Sequence, residues 1–292
     1  MFHVGLLAFI RAADFTPLRS YIVSLFFFEV SRVDMSGANN TATEQRTQET
    51  IGLLDLMALN ADDDEERIVG ICQRALTPVG GVAAVCVYPR FALLARTTLD
   101  RQQTPDIRVV AVVNFPYGSA NIENAASEAR AAVMAGADEI DMVYPFRTLL
   151  SGDRRTGLDM MAACRSACGR RVSLTVTLET ADLRDPQIIR DACRDAINSG
   201  ADFIKTSTGK LIGSATPQAA RIMLETIADV GGQVGLKFCG GIRTFDEAKV
   251  FLDMAQARFG PQWVTAQRVR LAGSSLLDDI LSRLGVLAPG PY

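Results

Sequence analysis

Three ionisable side chains stand where the sequence otherwise reads as apolar β-strand: Lys205 in ADFIKTS, Lys237 in QVGLKFC and Asp141 in DEIDMVY. A buried ammonium or carboxylate is costly unless it is paired or its pKa moves. Two ammonium groups brought together disfavour each other's charge, and low dielectric adds to the effect. At least one lysine is therefore expected to titrate well below the ordinary value of about 10.4. An unprotonated amine attacks a carbonyl to form a Schiff base, and the iminium is an electron sink for breaking a C–C bond. Asp141 would then move protons, directly or through water. The same pattern also fits ion pairs that merely close a protein core, Asp141 with Lys205 or Lys237. Spacing alone leaves both readings open.

The elements around these residues repeat from residue 51 onward. Short apolar runs end in polar or glycine-rich residues and are followed by amphipathic helical stretches. The strand candidates are 53–59, 82–88, 107–115, 138–144, 171–179, 201–207, 233–239 and 268–273. Thr216-Pro217 reads as a helix N-cap with proline at the first helical position, and Thr244 with Glu247 as a capping box. The segments VMAGADEID and INSGADFIK end two helices in the same way, which points to repeated units. Eight alternating strand–helix units favour a TIM (β/α)8 barrel over an open doubly wound sheet. No G-x-G-x-x-G fingerprint is present, and STGKL fails as a phosphate loop because no glycine lies five residues before Gly209. In such a barrel the active site lies at the C-terminal ends of the strands, where alternation lets Lys205 and Lys237 share one mouth.

Glycine-rich turns supply a second constellation. CGGIRT offers Gly240 and Gly241 before a helix, AGSSLLDDI offers Gly273, Ser274 and Ser275 before another, and Gly209 with Lys210 follows the sixth strand. Backbone N–H groups at helix N-termini bind phosphate, and these are the usual phosphate loops of a TIM barrel. Each turn alone reads equally well as an ordinary cap. Together they point to a phosphorylated substrate.

Composition narrows the classes. A net charge of −3 with no basic block argues against a nucleic-acid surface. Cys72, Cys86, Cys164, Cys168, Cys193 and Cys239 are scattered, as packing residues in a reducing compartment would be. The single histidine, His3, argues against a His-containing zinc site, so no metal is expected. YIVSLFFFEV falls far short of the roughly 20 apolar residues of a membrane span. Residues 1–50 are expected to be an extension, with 36–50 disordered and Met35 as the simpler true start; a targeting or partner-binding role for 1–34 is the other reading. The barrel is expected over 51–285, and 286–292 as a flexible Pro/Gly-rich tail.

FIKTSTGK, GADEIDMVYPFR, VVNFPYG, VCVYPRF, ATPQAARIM and LKFCGGIRT together resemble the deoxyribose-phosphate aldolases, a class I family, from about Leu53 to Leu284. The resemblance implies that Lys205 forms the Schiff base, that Lys237 lowers its pKa and aids proton movement, and that Asp141 joins the proton relay. It implies reversible cleavage of 2-deoxy-D-ribose 5-phosphate to D-glyceraldehyde 3-phosphate and acetaldehyde, in deoxynucleoside catabolism, with no metal or organic cofactor. Asp55 falls on an acidic position of the family and would support the lysines. A cytoplasmic protein is expected, with sugar phosphate and aldehyde as partners, no nucleic acid or membrane, and a homodimer through outer helices as one possible assembly. The family's frequent D-x-T-x-L is altered here at Met57 and Ala58, a strand-five lysine of some relatives is Thr175, and the usual GASS reads AGSS with the glycine at Gly273. Tyr292, at the end of the tail, is a candidate proton shuttle over the mouth. Cys86 and Cys239 are expected near the mouth as alkylation sites. The competing functions are a barrel recruited as a protein-binding module with weak catalysis, and a Schiff-base aldolase for another phosphorylated sugar.

Overall fold

The computed structural model describes residues 35–287. Eight parallel strands close a barrel: β1 (Leu54–Ala58), β2 (Ala84–Val87), β3 (Arg108–Val113), β4 (Glu139–Val143), β5 (Ser173–Thr177), β6 (Phe203–Lys205), β7 (Gly235–Cys239) and β8 (Val269–Ala272). Neighbours follow chain order, and β1 joins β8 through Leu54–Leu271 and Asp55–Ala272. Every barrel strand falls inside the range read from the sequence; the short antiparallel pair Leu76–Thr77 and Gly80–Gly81 was not read from it. The TIM-barrel expectation is met.

Such strands are buried on both faces, so each reads as a nearly continuous apolar run. Outward residues such as Val109, Ile140, Val176, Ile204 and Leu236 pack into the main core with the helices. The inward positions divide into two halves. On β2 and β3 they are Ala84, Cys86, Val110 and Val112, a small apolar cluster with Leu59. On β1 and β4 to β8 they carry Asp55, Glu139, Asp141, Thr175, Thr177, Lys205, Lys237 and Arg270, all buried. The barrel interior is thus half hydrocarbon and half charge.

Local signals place the helices that fix these strands. Thr216 Oγ1 accepts from Ala219 N (3.1 Å) at the start of the helix Pro217–Asp229. Thr244 and Glu247 form the expected capping box at the start of Phe245–Phe259.

The segment 36–50 departs from expectation. It belongs to a helix, Met35–Ile51, where the polar composition predicts disorder. The chain divides into two units, Met1–Gln45 and Arg46–Tyr292, and the end of this helix is anchored within the second. There Thr47, Thr50 and Ile51 are buried, Arg46 Nη2 donates to Asp253 Oδ1 (2.6 Å) and Gln48 Nε2 to Val79 O (3.0 Å). The anchors are mostly polar, so no apolar periodicity announces them. Tyr292, His3 and the YIVSLFFFEV run lie outside the described residues. Among the described residues no helix is long and apolar enough to cross a membrane.

Gly157, in the helix Arg155–Cys168, has no room for a side chain, because an added Cβ would overlap the buried Tyr144 phenol. Alanine in place of a helical glycine normally gains up to about 1 kcal/mol. Overpacking a core typically costs about 1–3 kcal/mol. The clash is expected to win, so Gly157→Ala should unfold at lower urea than wild type; a gain in stability would show that Tyr144 moves aside freely.

Candidate active site

Lys205 is the last residue of β6 and is almost wholly buried. Its Nζ donates to Asp141 Oδ2 (2.6 Å), from the centre of β4. The other carboxylate oxygen accepts from Thr177 Oγ1 (2.6 Å). Thr177 stands opposite Lys205 in the β5–β6 register, so three adjacent strands hold one ammonium–carboxylate pair.

Lys237 lies opposite Lys205 in the β6–β7 register, as the alternation predicts, but its ammonium is engaged elsewhere. It donates to Asp55 Oδ2 (3.1 Å) and Glu139 Oε2 (2.8 Å). Arg270, opposite Lys237 on β8, donates from Nη1 to Asp55 Oδ1 (2.6 Å) and from Nη2 to Glu139 Oε1 (2.9 Å). Two carboxylates each bridge two cations, and the four side chains form a closed ring. The Phe203 ring backs it, 5.0 Å from Lys237 Nζ and 5.6 Å from Arg270 Cζ.

The electrostatics correct one expectation. The lysines do not face each other bare, because three carboxylates balance the three buried cations. Burial opposes the charge on Lys205, but the Asp141 carboxylate, with Cys239 and Cys86 behind it, more than offsets this and holds the pKa above the ordinary lysine value. Lys237 is raised in the same way: burial lowers it, and Asp55 and Glu139 outweigh burial. Burial would raise Asp55 and Glu139, yet Lys237 and Arg270 keep both below the usual carboxylate range. In the free protein, neither lysine is depressed. Cys86 and Cys239 are also poorer targets than expected. Both are buried, and burial pushes the thiols up, Cys239 to about 11, which leaves little thiolate to alkylate.

Glu139, Arg270 and Glu179 were not singled out by sequence reasoning. The first two carry the same signal as Asp141, a charge on the inward face of an apolar strand, but stand near strand starts where a charge reads as a solvated end. Glu179 follows β5 in a left-handed conformation (φ 55°) and is wholly buried. Its Oε2 accepts from Thr208 N (2.9 Å), pinning the start of the β6 loop, while Oε1 has no partner among the described residues. Burial raises its pKa.

The predicted phosphate residues converge at the mouth. Gly240 and Gly241 adopt φ of 98° and 78°, and a Cβ on Gly240 would lie 2.9 Å from Ser214 Cα. A Cβ on Gly273 would lie 2.9 Å from Ile242 O. The loops after β6, β7 and β8 meet because these positions lack side chains. Among the described residues, the amides of Gly240, Gly241, Ser274 and Ser275 have no backbone acceptor. The helix Ser274–Arg283 has no side-chain cap, so its first turn is open to an anion. The helix after β7 is not open, since its own capping box fills its N-terminus. The Ser274 hydroxyl is engaged with the Met57 backbone, and Ser275 is exposed. Gly209 (φ 74°) packs near Cys239, and exposed Lys210 reaches Asn60 Oδ1 (2.7 Å) beside a hollow of about 490 Å³ that Tyr88 and Tyr117 also line.

The closed barrel thus holds a buried lysine–carboxylate centre and anion-ready loops at one mouth. Residues 50–273 match the profile described as DeoC/LacD family aldolase, and the chain belongs to that family. Among solved structures, a candidate deoxyribose-phosphate aldolase from Toxoplasma gondii ME49 is similar with a TM-score of 0.76 at 23% identity, over 84% of this chain and 96% of that one. A candidate deoxyribose-phosphate aldolase from Coccidioides immitis is similar with a TM-score of 0.69 at 27% identity, over 80% and 86%. The deoxyribose phosphate aldolase from Aeropyrum pernix, described as tetrameric, matches with a TM-score of 0.67 at 21% identity, over 82% and 92%.

The ring makes stability depend on acid pH. Asp55 and Glu139 have folded pKa values below their ordinary ones, so their contribution is present above the ordinary carboxylate range, near 4, and is lost as pH falls through the folded values. Melting temperature is expected to hold from pH 7 to about 5 and to fall below about 4. Glu139→Gln should cost about 3–5 kcal/mol at pH 7 by urea unfolding, because it leaves buried cations short of a partner. It should also flatten the acid slope; parallel slopes for variant and wild type would remove the ring as its cause.

Proposed function

We propose that the chain is a deoxyribose-phosphate aldolase that cleaves 2-deoxy-D-ribose 5-phosphate reversibly to D-glyceraldehyde 3-phosphate and acetaldehyde. The observation that carries this reading is Lys205 Nζ, buried at the C-terminal end of its strand and 2.6 Å from the Asp141 carboxylate that Thr177 orients.

Lys205 gives its proton to Asp141, and the neutral amine attacks C1 of the open-chain sugar. The carbinolamine loses water to become an iminium. Loss of the C3 hydroxyl proton breaks the C2–C3 bond, and its electron pair flows into the iminium to form an enamine while glyceraldehyde 3-phosphate leaves. The enamine takes a proton at C2, and hydrolysis frees acetaldehyde and restores the amine. Asp141 is the relay for these transfers. Lys237, fixed by Asp55 and Glu139, contributes a stationary positive charge from the neighbouring strand. Glu179 acts on the loop rather than on the sugar, by holding Thr208.

The substrate phosphate is assigned to the amides of Gly240, Gly241, Ser274 and Ser275, with Gly209 and Gly273 shaping the loops and Lys210 swinging from Asn60 to the anion. The lysine is itself the electron sink, so the route calls for no organic cofactor. Tyr292 is the proposed shuttle for the C2 proton. The reaction fits deoxynucleoside catabolism in the cytoplasm, and a homodimer is the proposed assembly.

Borohydride reduction in the presence of acetaldehyde, followed by peptide mass mapping, tests the nucleophile. A reduced two-carbon adduct is expected on Lys205 and is expected to vanish in Lys205→Ala. Asp141→Asn should lower kcat for the phosphorylated deoxysugar by about 10²- to 10⁴-fold. An unmodified Lys205 in an intact protein would make the pair structural and end the proposal.

A further inference from the structure

The barrel face opposite the mouth carries a cavity of about 500 Å³, within the usual size of small-molecule sites. Its floor includes Glu139, Phe203 and Arg270, which belong to the ring around Lys237 or back it. Its walls carry Arg108, Arg171 and Arg268 together with Asp138 and Asp202.

The two acids are already committed. Asp138 Oδ2 accepts from Val109 N (2.9 Å) and from Arg96 Nη1 (3.0 Å). Asp202 Oδ2 accepts from Leu174 N (2.8 Å) and from Arg165 Nη1 (2.8 Å). Two of the arginines, Arg171 and Arg268, are not matched by a carboxylate in return among the described residues. Arg108 comes no closer to Asp138 than 3.6 Å. Among the described residues Arg268 bonds only the neutral Gln233, through its carbonyl and its side-chain oxygen. Arg171 has no carboxylate partner among the described residues. A second hollow of about 380 Å³ shares Arg171, Ser173 and Asp202 with the first and adds Arg170. In a chain of net charge −3, positive charge gathers here against the overall sign. Arginines that serve only solubility are interspersed with acids that neutralise them, whereas these line a concave surface whose acids are spent on backbone amides and other arginines.

We propose that this cavity is a second ligand site, for a small organic phosphate carrying at least two negative charges. Arg171 and Arg268 grip the anionic groups in forked, charge-assisted hydrogen bonds, and Arg108 closes the rim. Ser173 and the Gln233 side chain offer neutral hydrogen bonds to the rest of the molecule. The gripping arginines, Arg108, Arg171 and Arg268, take no part in the aldol chemistry, so the site stands whether or not the aldolase reading does. A ligand there rests against Arg270, whose guanidinium holds both carboxylates of the Lys237 ring.

Calorimetric titration of the full chain with pyrophosphate tests the proposal. Wild type is expected to bind two equivalents, one at each end of the barrel. Arg171→Glu/Arg268→Glu is expected to lose one of them, its affinity falling more than tenfold, with a thermal melt close to wild type because Arg171 is exposed and Arg268 is only half-buried. Arg171→Gln/Arg268→Gln should show a smaller loss at the same site and serves if the charge-reversed protein misfolds. No binding in wild type, or as many equivalents in the charge-reversed protein as in wild type, would overturn the assignment.

Discussion

The ring of Asp55, Glu139, Lys237 and Arg270 is the constraint on which the site depends. Four full charges inside a barrel are expensive to desolvate, and well-packed hydrocarbon in their place would often be as stable or more so. The arrangement is tolerable because each cation donates to both carboxylates and each carboxylate accepts from both cations, so no charge is left short. It also joins strands that lie on different sides of the barrel, β1 and β4 to β7 and β8. Loss of one member therefore disturbs the relative position of several strands at once.

The Lys205–Asp141 pair inherits its place from that ring. Asp141 stands two residues beyond Glu139 on β4, and Lys205 two beyond Phe203 on β6, so alternation points each along the same inward face as its partner in or behind the ring. Once Glu139 is clasped by Lys237 and Arg270, and Phe203 lies against both cations, the two strands have little freedom to slide. Lys205 and Asp141 then meet at hydrogen-bond distance without a flexible search. The apolar half of the interior, from β2 and β3, supplies no competing polar group and leaves the pair in low dielectric.

Much of this was legible in the sequence, for physical reasons. Parallel barrel strands are apolar on both faces, so a lysine or aspartate in one of them stands out, and Lys205, Lys237 and Asp141 did. Glu139 and Arg270 were hidden because a charge near a strand end resembles an ordinary solvated terminus. The sign of the lysine shifts was not legible, since it depends on how many carboxylates the closed barrel brings to each nitrogen, and spacing along one chain does not count them. The glycines of the mouth loops were readable because their turns demand backbone conformations that other residues resist. The competing use of the Ser274 hydroxyl and of the helix start after β7 appears only when the loops are in place. The helix end at Thr47–Ile51 was missed because its anchors are hydrogen bonds and an ion pair, which leave no periodic apolar trace.

A raised lysine pKa looks unfavourable for a nucleophile, yet it suits the chemistry proposed. The amine must be neutral only for the attack; afterwards the nitrogen is a cationic iminium until the C–C bond breaks. Asp141, which holds the ammonium charged in the free protein, is positioned to stabilise that iminium at the same place, where the electron pair must flow. The cost falls on removing the first proton, and Asp141 reduces it by being the acceptor at 2.6 Å, with Thr177 steadying its other oxygen. Transfer within the pair leaves the total charge of the interior unchanged, so the ring below need not rearrange. A depressed lysine would favour the first attack and forfeit part of the stabilisation of every cationic species after it, which makes the observed balance the better match to a reaction that passes through iminium ions.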